Sequence, residues 1–440
     1  MNRREFLSGL IQLTLSSVVL RGVGMAYRVV LQGRIGAEGM GLYQLIMTVY
    51  MLFSMLSCAG LTITVSRLCA GHPAACRSIT LKSCAYATGI GTLLGLLLYF
   101  SADFVADAWL KDARAANALR WIAPSLPLMG ISAALRGYFL SIGDVARPTI
   151  AQITEQFARV GLVLVLLFAF DITDLSQACT IILFGATAAE VLSCALHILF
   201  AAKLLSHPHV HYPFKDILQG ILPILMGSAA QSGMQTAENL LIPQLLQAGG
   251  ISASQSLAQY GMLGGMVLPV LLFPAALPAA LGTLLLPEIA RRHAQRKTHS
   301  VQQLTKRTLH LTLGISAVCC AGFMLFCKPL MQLFYRSDAA GGQLCMLAPL
   351  LPLICIDALC DALLKGLGKQ TATMITETID GLLRIAGLYL LLPRLGMKGY
   401  VMILYLSAAL CSAIRIILLY RSIGLLHRHE KTPRRRSCRA

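Results

Sequence analysis

The chain is 440 residues long, 56% hydrophobic and only 13% charged, about half the charge share of a soluble globular domain. It has no polar stretch long enough to fold as a soluble domain, which excludes catalysis outside a membrane. The net charge of +18 would suit nucleic acid, but the cations sit in short loops between apolar runs, and that placement excludes a nucleic-acid arm.

Asn2-Arg3-Arg4-Glu5-Phe6-Leu7 has the look of a twin-arginine export signal. No small-residue cleavage site follows it, and the apolar run continues past Arg21 and Arg28, so it reads as a first membrane span. Twelve runs approach the length needed to cross a bilayer. Six lie at 6–31, 42–66, 79–101, 117–140, 148–170 and 177–204. The other six lie at 217–245, 257–286, 308–331, 343–367, 371–392 and 399–420. Alternate loops collect Arg67, Arg77 and Lys82, then Arg147, Lys203 and Lys215, then Arg291, Arg292, Arg296, Lys297, Lys306 and Arg307. Lys365 and Lys369 continue the series, and the tail adds Arg428, Lys431, Arg434, Arg435, Arg436 and Arg439. The opposite loops hold Asp103, Asp107, Asp112, Asp171 and Asp174, with Arg394 and Lys398 as the main exceptions. By the positive-inside rule both termini lie in the cytosol, and the basic tail anchors on anionic lipid head groups.

The chain also repeats itself. Ala123-Pro124-Ser125-Leu126-Pro127-Leu128 recurs as Ala348-Pro349-Leu350-Leu351-Pro352-Leu353, 225 residues on. The same ungapped shift maps Ile131 on Ile356, Ala133 on Ala358, Gly143 on Gly368, Ile150 on Ile375 and Arg159 on Arg384. Six spans per half is an even number, so the halves run parallel, related by a pseudo-twofold along the membrane normal. The expected fold is therefore all-α and polytopic: twelve spans in two six-helix bundles, an N-terminal lobe over 1–215 and a C-terminal lobe over 216–440. Two such halves are the usual construction of a transporter, with substrate between them.

Prolines and glycines break spans seven and eight: Pro223 and Pro243, then Gly264, Gly265, Pro269, Pro274, Pro278 and Pro287. Freed backbone is tolerated at bilayer depth only against protein or a wet cavity, so these spans are expected to bend and to line an opening. Gly91-x-x-x-Gly95 and Gly261-x-x-x-Gly265 read as internal packing, with the chain a monomer. The fourteen cysteines are scattered without a C-x-x-C and read as small apolar residues. His207, His209 and His211 alternate as metal ligands on a short strand would, though a polar linker explains them as well. No cofactor or metal is expected, and no enzyme motif is present.

Charges inside the spans are costly and mark interior sites. Arg21 and Arg28 share one face of the first span and have no acidic neighbour on it. Glu155 and Arg159 lie four apart on the fifth span. Asp357, Asp361 and Lys365 form a stripe on the tenth, and Glu377, Asp380 and Arg384 another on the eleventh. Glu190 sits on the sixth, and Gln231, Gln235, Glu238 and Asn239 on the seventh. Arg21, Arg28, Arg159 and Arg384 are the candidate substrate-binding residues. Glu155, Glu238, Asp357, Asp361, Glu377 and Asp380 are candidates for the cavity or a coupling ion. The alternative is that Glu155–Arg159 and Asp380–Arg384 are plain i,i+4 ion pairs, and that the other carboxylates cap bent helices.

The stretch from Gly22 to Leu68, above all Arg34-Ile35-Gly36-Ala37-Glu38-Gly39-Met40-Gly41-Leu42-Tyr43-Gln44, resembles the start of the stage V sporulation protein B group of polysaccharide exporters. That group is part of the multidrug/oligosaccharidyl-lipid/polysaccharide (MOP) superfamily. Arg21, Gly24 and Arg28 match the arginine–glycine–arginine pattern of its first helix. The resemblance implies a flippase of the bacterial inner membrane for lipid-linked sugars, with peptidoglycan precursor the favoured cargo and H⁺ or Na⁺ as coupling ion. It also implies that Arg21 and Arg28 face a cationic cavity. Many relatives carry fourteen helices, the last two forming a groove for the lipid tail, whereas twelve are expected here. A multidrug cation antiporter of the same superfamily is the rival, and a scaffold or channel a third reading. Unpaired arginines favour a phosphate-bearing cargo over a cationic drug.

Overall fold

The computed structural model describes residues 3–170, 174–206 and 210–430, with short interruptions between 277 and 296. The expectations placed on Asn2, Asp171, His207, His209, Pro287, Arg296 and the tail from Lys431 lie outside the described residues, as do the side chains of Lys203 and Arg428.

Among the described residues every regular element is helical. The first, α1 (Arg3–Cys58), holds the first span and most of the second. Its apolar stretch continues through α2 (Leu61–Gly71), so that Val18–Gly71 is 54 residues long. As a straight rod that stretch would measure about 80 Å, far more than a bilayer core of about 30 Å. Gly36 resolves the excess: at φ 68° and ψ −173° it leaves the helical region and divides α1 into two arms. Only glycine adopts such a conformation cheaply. The sequence pattern suggests a loop here, but a single residue departs from helix.

The chain continues through α3 (Cys76–Phe100), α4 (Ala116–Ile122), α5 (Ser125–Ser141), α6 (Ala146–Ala169) and α7 (Leu175–Phe200). Then come α8 (Phe214–Ala248) and α9 (Ala253–Gly261). After the interrupted region follow α10 (Thr298–Tyr335), α11 (Asp338–Leu347), α12 (Leu350–Gly366), α13 (Gln370–Leu395) and α14 (Met397–Glu430). Among the described residues six stretches are long and apolar enough to cross a membrane, or eight with the bent pairs α4–α5 and α11–α12. Val18–Gly71 counts once in that tally although Gly36 folds it into two spans. The seventh, eighth and eleventh spans fall outside it; α13 carries Glu377, Asp380 and Arg384 within two turns.

Two compact units result, residues 1–266 and 267–440. Within the first, α8 and α9 pack against α1. The first compact unit therefore runs past the repeat boundary at 215/216, because α8 and α9 pack against α1.

The duplication has a local structural counterpart in each unit. Helix α5 runs Ser125–Ser141 and α12 runs Leu350–Gly366, both ends offset by 225. Pro124 and Pro349 stand at their N-caps, and the two pairs bend by 43° and 53°. Each ends on a glycine at φ 76°, Gly143 and Gly368. In the first, the Asp144 amide donates to Phe139 at 3.0 Å, and in the second the Lys369 amide donates to Leu364 at 2.9 Å, the same closing bond one repeat later. A left-handed glycine with such a bond is a helix stop that sequence can encode.

Small residues draw the helices together within the first unit. A Cβ on Gly91 would lie 2.5 Å from Pro127 Cα, and one on Gly95 2.9 Å from Ala123 O. A Cβ on Gly261 would meet Ala37 O at 2.2 Å and Gly41 N at 2.3 Å. Both small-residue motifs thus serve internal packing. The eighth span is broken where its glycines and prolines fall: α9 gives way to a π-turn over Met262–Val267 and a short turn of helix over Leu268–Leu271. The seventh is a continuous helix through Pro223 and Pro243.

Candidate functional site

Within the first unit, the two arms of α1 and helix α8 line an open cavity of about 430 Å³. The spacing of side chains along each helix accounts for its lining. On the second arm of α1, Met47, Met51 and Met55 recur every four residues and share a face. Helix α8 supplies Gln231, Gln235 and Asn239 at the same interval, with Ser228, Ser232 and Thr236 beside them. The first arm contributes Arg28. Tyr43, Gln44 and Thr48 complete the wall.

The wall is partly tied to itself. Asn239 Nδ2 donates to Thr48 Oγ1 at 3.4 Å, and Gln44 Nε2 donates to Gly264 O at 3.4 Å. Among the described residues Arg28 is the one charged residue lining the cavity, and no carboxylate pairs with it. A guanidinium keeps its charge at every relevant pH and presents donors only, so the chemical complement of this lining is an anion.

The other predicted residues fall in three places. Arg21 is exposed and does not line the cavity. Glu238 is buried and partnered, and does not line it either. Glu38, a conceivable partner for the arginines of the first span, is taken by another group. Arg114 Nη2 donates to its Oε1 at 2.8 Å and Ser254 Oγ to its Oε2 at 2.5 Å. Asp112 also holds Arg114, at 2.7 Å. This cluster joins the turn between the first two spans, the loop before α4 and the start of α9. Hydrogen bonds from Ser254 and Arg114 hold the Glu38 carboxyl below its usual range.

Arg159 pairs with Glu155 on α6, one turn apart. Helix α6 packs against α1, the helix that carries Arg28 and Tyr43 of the cavity wall. Glu190 on α7 is buried, accepts a hydrogen bond from Ser132 Oγ at 3.1 Å, and feels Glu155, Arg159 and Arg136. Two carboxylates and two arginines make this group neutral.

The second unit holds a related group with a different balance. Arg384 pairs with Asp380 at 2.8 Å, and Ser407 on α14 bridges them, accepting from Arg384 Nε and donating to Asp380. Asp361 pairs with Lys365 at 2.6 Å, and Lys365 lies 3.8 Å from Glu377. Arg415, buried on α14, binds Asp357 at 2.6 Å and Glu377 at 3.5 Å. Four carboxylates against three cations leave one negative charge. The Oδ1 atoms of Asp357 and Asp361 are buried and unpartnered among the described residues.

The sequence pattern singled out neither Arg136 nor Arg415. The 225-residue shift maps Arg136 on Asp361, Ser132 on Asp357 and Glu190 on Arg415. Glu190–Ser132 and Arg415–Asp357 are therefore the same contact in two halves, with the charge on α7 and α14 reversed. A search for identical residues passes over such positions; one for ionisable residues of either sign finds them.

Known proteins give a consistent picture. The sequence matches the polysaccharide biosynthesis protein family model over residues 6–280 and the MatE family model over 223–390. It is 26% identical to stage V sporulation protein B of Bacillus subtilis (strain 168), over 91% of this chain and 80% of that one. It is 23% identical to sporulation protein YkvU of the same strain, over 94% and 97%. Among solved structures, an inward-facing multidrug resistance MATE family transporter of the MOP superfamily superposes with a TM-score of 0.76 at 14% identity, over 97% of this chain and 100% of that one. A MOP superfamily transporter from Pyrococcus furiosus, described as having a binding pocket of reversed polarity, gives 0.66 at 16% identity, over 95% and 96%. The fold is thus the all-α, twelve-helix, two-bundle fold of MATE transporters.

Proposed function

The chain belongs to the polysaccharide biosynthesis protein family, and from that premise we propose that it is a flippase carrying a polyprenyl-pyrophosphate-linked oligosaccharide, such as a peptidoglycan precursor, across the bacterial inner membrane. The family makes it a multi-pass membrane transporter rather than an enzyme. The observation that carries the cargo assignment is Arg28, alone as a charge in a cavity otherwise lined by amides, hydroxyls and thioethers. A pyrophosphate offers a guanidinium several acceptor oxygens in bidentate geometry. A cationic drug would meet a like charge there and no lining carboxylate, which speaks against the multidrug antiporter reading.

Arg21 meets the same anion as it enters or leaves. Arg159 and Arg384 act through their ion pairs, tuning the walls of the N- and C-terminal lobes (1–215 and 216–440) that alternate in access. The carboxylate excess around Asp357 and Asp361, with Glu377 and Asp380 beside them, takes the coupling ion, H⁺ or Na⁺. Glu155 and Glu238, neither of which lines the cavity, brace the helices around it, the protein works as a monomer, and both termini lie in the cytosol. The test is translocation in proteoliposomes of a polyprenyl-pyrophosphate disaccharide, read by a membrane-impermeant lectin. Wild-type protein moves the lipid, Arg28→Ala does not, and Arg28→Lys does so partly. Normal translocation by Arg28→Ala refutes the assignment.

A further inference from the structure

In the second unit, the start of α10 and the end of α14 form a groove of about 180 Å³ that the proposed function does not use. Helix α10 lines it with Gln302, Thr305, Lys306 and Leu309, at i, i+3, i+4 and i+7, and α14 with Leu419, Tyr420 and Ile423. The sequence places the ninth span at 308–331 and the twelfth at 399–420, so the groove lies where these spans leave the membrane. Its floor is firm, because Leu309, Leu419 and Ile423 pack with Val301 and Leu304 in one buried cluster.

The polar side of the groove is not satisfied by the protein. Thr305 is only 4% exposed, and its hydroxyl has no hydrogen-bond partner among the described residues. Thr308, by contrast, donates to the Leu304 carbonyl one turn back, at 2.9 Å, the usual resort of a helical threonine. A buried hydroxyl without a partner is costly, so a ligand oxygen that reaches it is favoured. Lys306 is exposed, and among the described residues no carboxylate pairs with it.

Charge decides which ligand fits. Residues 289–337 include eight lysines and arginines and no aspartate or glutamate, and residues 397–423 have no acidic residue either. A zwitterionic head group brings a cation that finds no counter-charge here, whereas a phosphodiester alone meets a lysine. The groove has room for a head group but not for a whole lipid. Acyl chains have a path beyond it, since Leu313, one turn on from Leu309, and Ile417, one turn before Tyr420, are exposed apolar residues. Tyr420, exposed at the end of its span, has the amphipathic ring favoured at the level of lipid head groups.

We propose that the groove between α10 and α14 is a binding site for one anionic phospholipid of the surrounding membrane, with Lys306 on the phosphate and Thr305 and Gln302 on the neighbouring ester and glycerol oxygens. It shares no lining residue with the cavity of the first unit, and its occupancy does not depend on what that cavity carries.

The test measures binding of phosphatidylglycerol and phosphatidylcholine to the purified full-length protein in detergent, by native mass spectrometry. Wild type holds one phosphatidylglycerol about tenfold more tightly than phosphatidylcholine, the scale of one hydrogen bond to a charged group. Lys306→Gln loses that preference. Thr305→Val, which keeps the shape of the side chain, weakens phosphatidylglycerol several-fold, and both variants keep the wild-type circular dichroism. Arg307→Gln, which removes an exposed charge beside the groove but not in its lining, binds as wild type does. Equal affinity for the two lipids in wild type overturns the proposal, as does unchanged binding by Thr305→Val. A loss in Arg307→Gln as large as that in Lys306→Gln overturns it too, since that marks diffuse attraction to a basic surface. So does displacement of the lipid by an equal concentration of glycerol phosphate, which marks a site for a free anion.

Discussion

Removing the guanidinium of Arg415 should destabilise the second unit more than any other single change among its charges. Its side chain is 7% exposed and lies 2.6 Å from Asp357 and 3.5 Å from Glu377. Arg415→Met keeps most of the volume but leaves four carboxylates facing Lys365 and Arg384 alone. Breaking a buried pair by deleting one partner costs about 3–5 kcal/mol, because the remaining charge stays buried without compensation. Each 1.4 kcal/mol is tenfold, so the folded fraction relative to unfolded falls by roughly two to three and a half decades. The assay is reversible denaturation in mixed micelles, followed by circular dichroism. Asp357→Asn placed on Arg415→Met should recover at least half of the loss, since it removes the charge left behind. Serine at 357 should do as well, because serine occupies the equivalent position 132 in the first half. A loss below about 1 kcal/mol, the scale of a surface ion pair, would refute the view that Arg415 neutralises this cluster.

Three further outcomes follow from the packing and the polar contacts. Gly261→Val should separate α9 from α1, since its Cβ would stand 2.2 Å from Ala37 O; a spin-label distance between positions 37 and 258 should lengthen, and an unchanged distance would contradict the close approach. Ser254 and Arg114 depress the Glu38 carboxyl, so the stability this group adds is present above its unfolded value and lost as pH falls through the folded one. A double-mutant cycle of Glu38→Gln with Ser254→Ala should show coupling at pH 7 that disappears in acid; coupling independent of pH would speak against it. Gly143→Ala and Gly368→Ala should each be destabilising by about 1 kcal/mol, because both sit at φ 76°; a neutral melting curve for either would show that the helix stop does not depend on glycine.

The fold was legible wherever a local signal coincided with the repeat. Pro124 and Pro349 mark the bends, and Gly143 and Gly368 mark the ends of α5 and α12. The Glu155–Arg159 and Asp380–Arg384 pairs were readable because both members lie on one helix. Contacts between distant segments were not readable in this way. Glu38 meets Arg114 and Ser254 across 76 and 216 residues, and no periodicity connects them. The amides of α8 were visible as a polar stripe, but Met47, Met51 and Met55 look like ordinary apolar lining until the fold sets them opposite. Arg21 and Arg28 share a helix face by spacing, yet only Arg28 borders the cavity.

The most direct test of the account is a paired transport measurement on wild type and Arg28→Ala in the same proteoliposomes, using a fluorescent polyprenyl-pyrophosphate sugar and the cationic dye ethidium. The account predicts that wild type moves the lipid and not the dye, and that Arg28→Ala abolishes lipid movement while the protein stays folded and inserted. Dye transport by wild type, or lipid movement undiminished in Arg28→Ala, would contradict it.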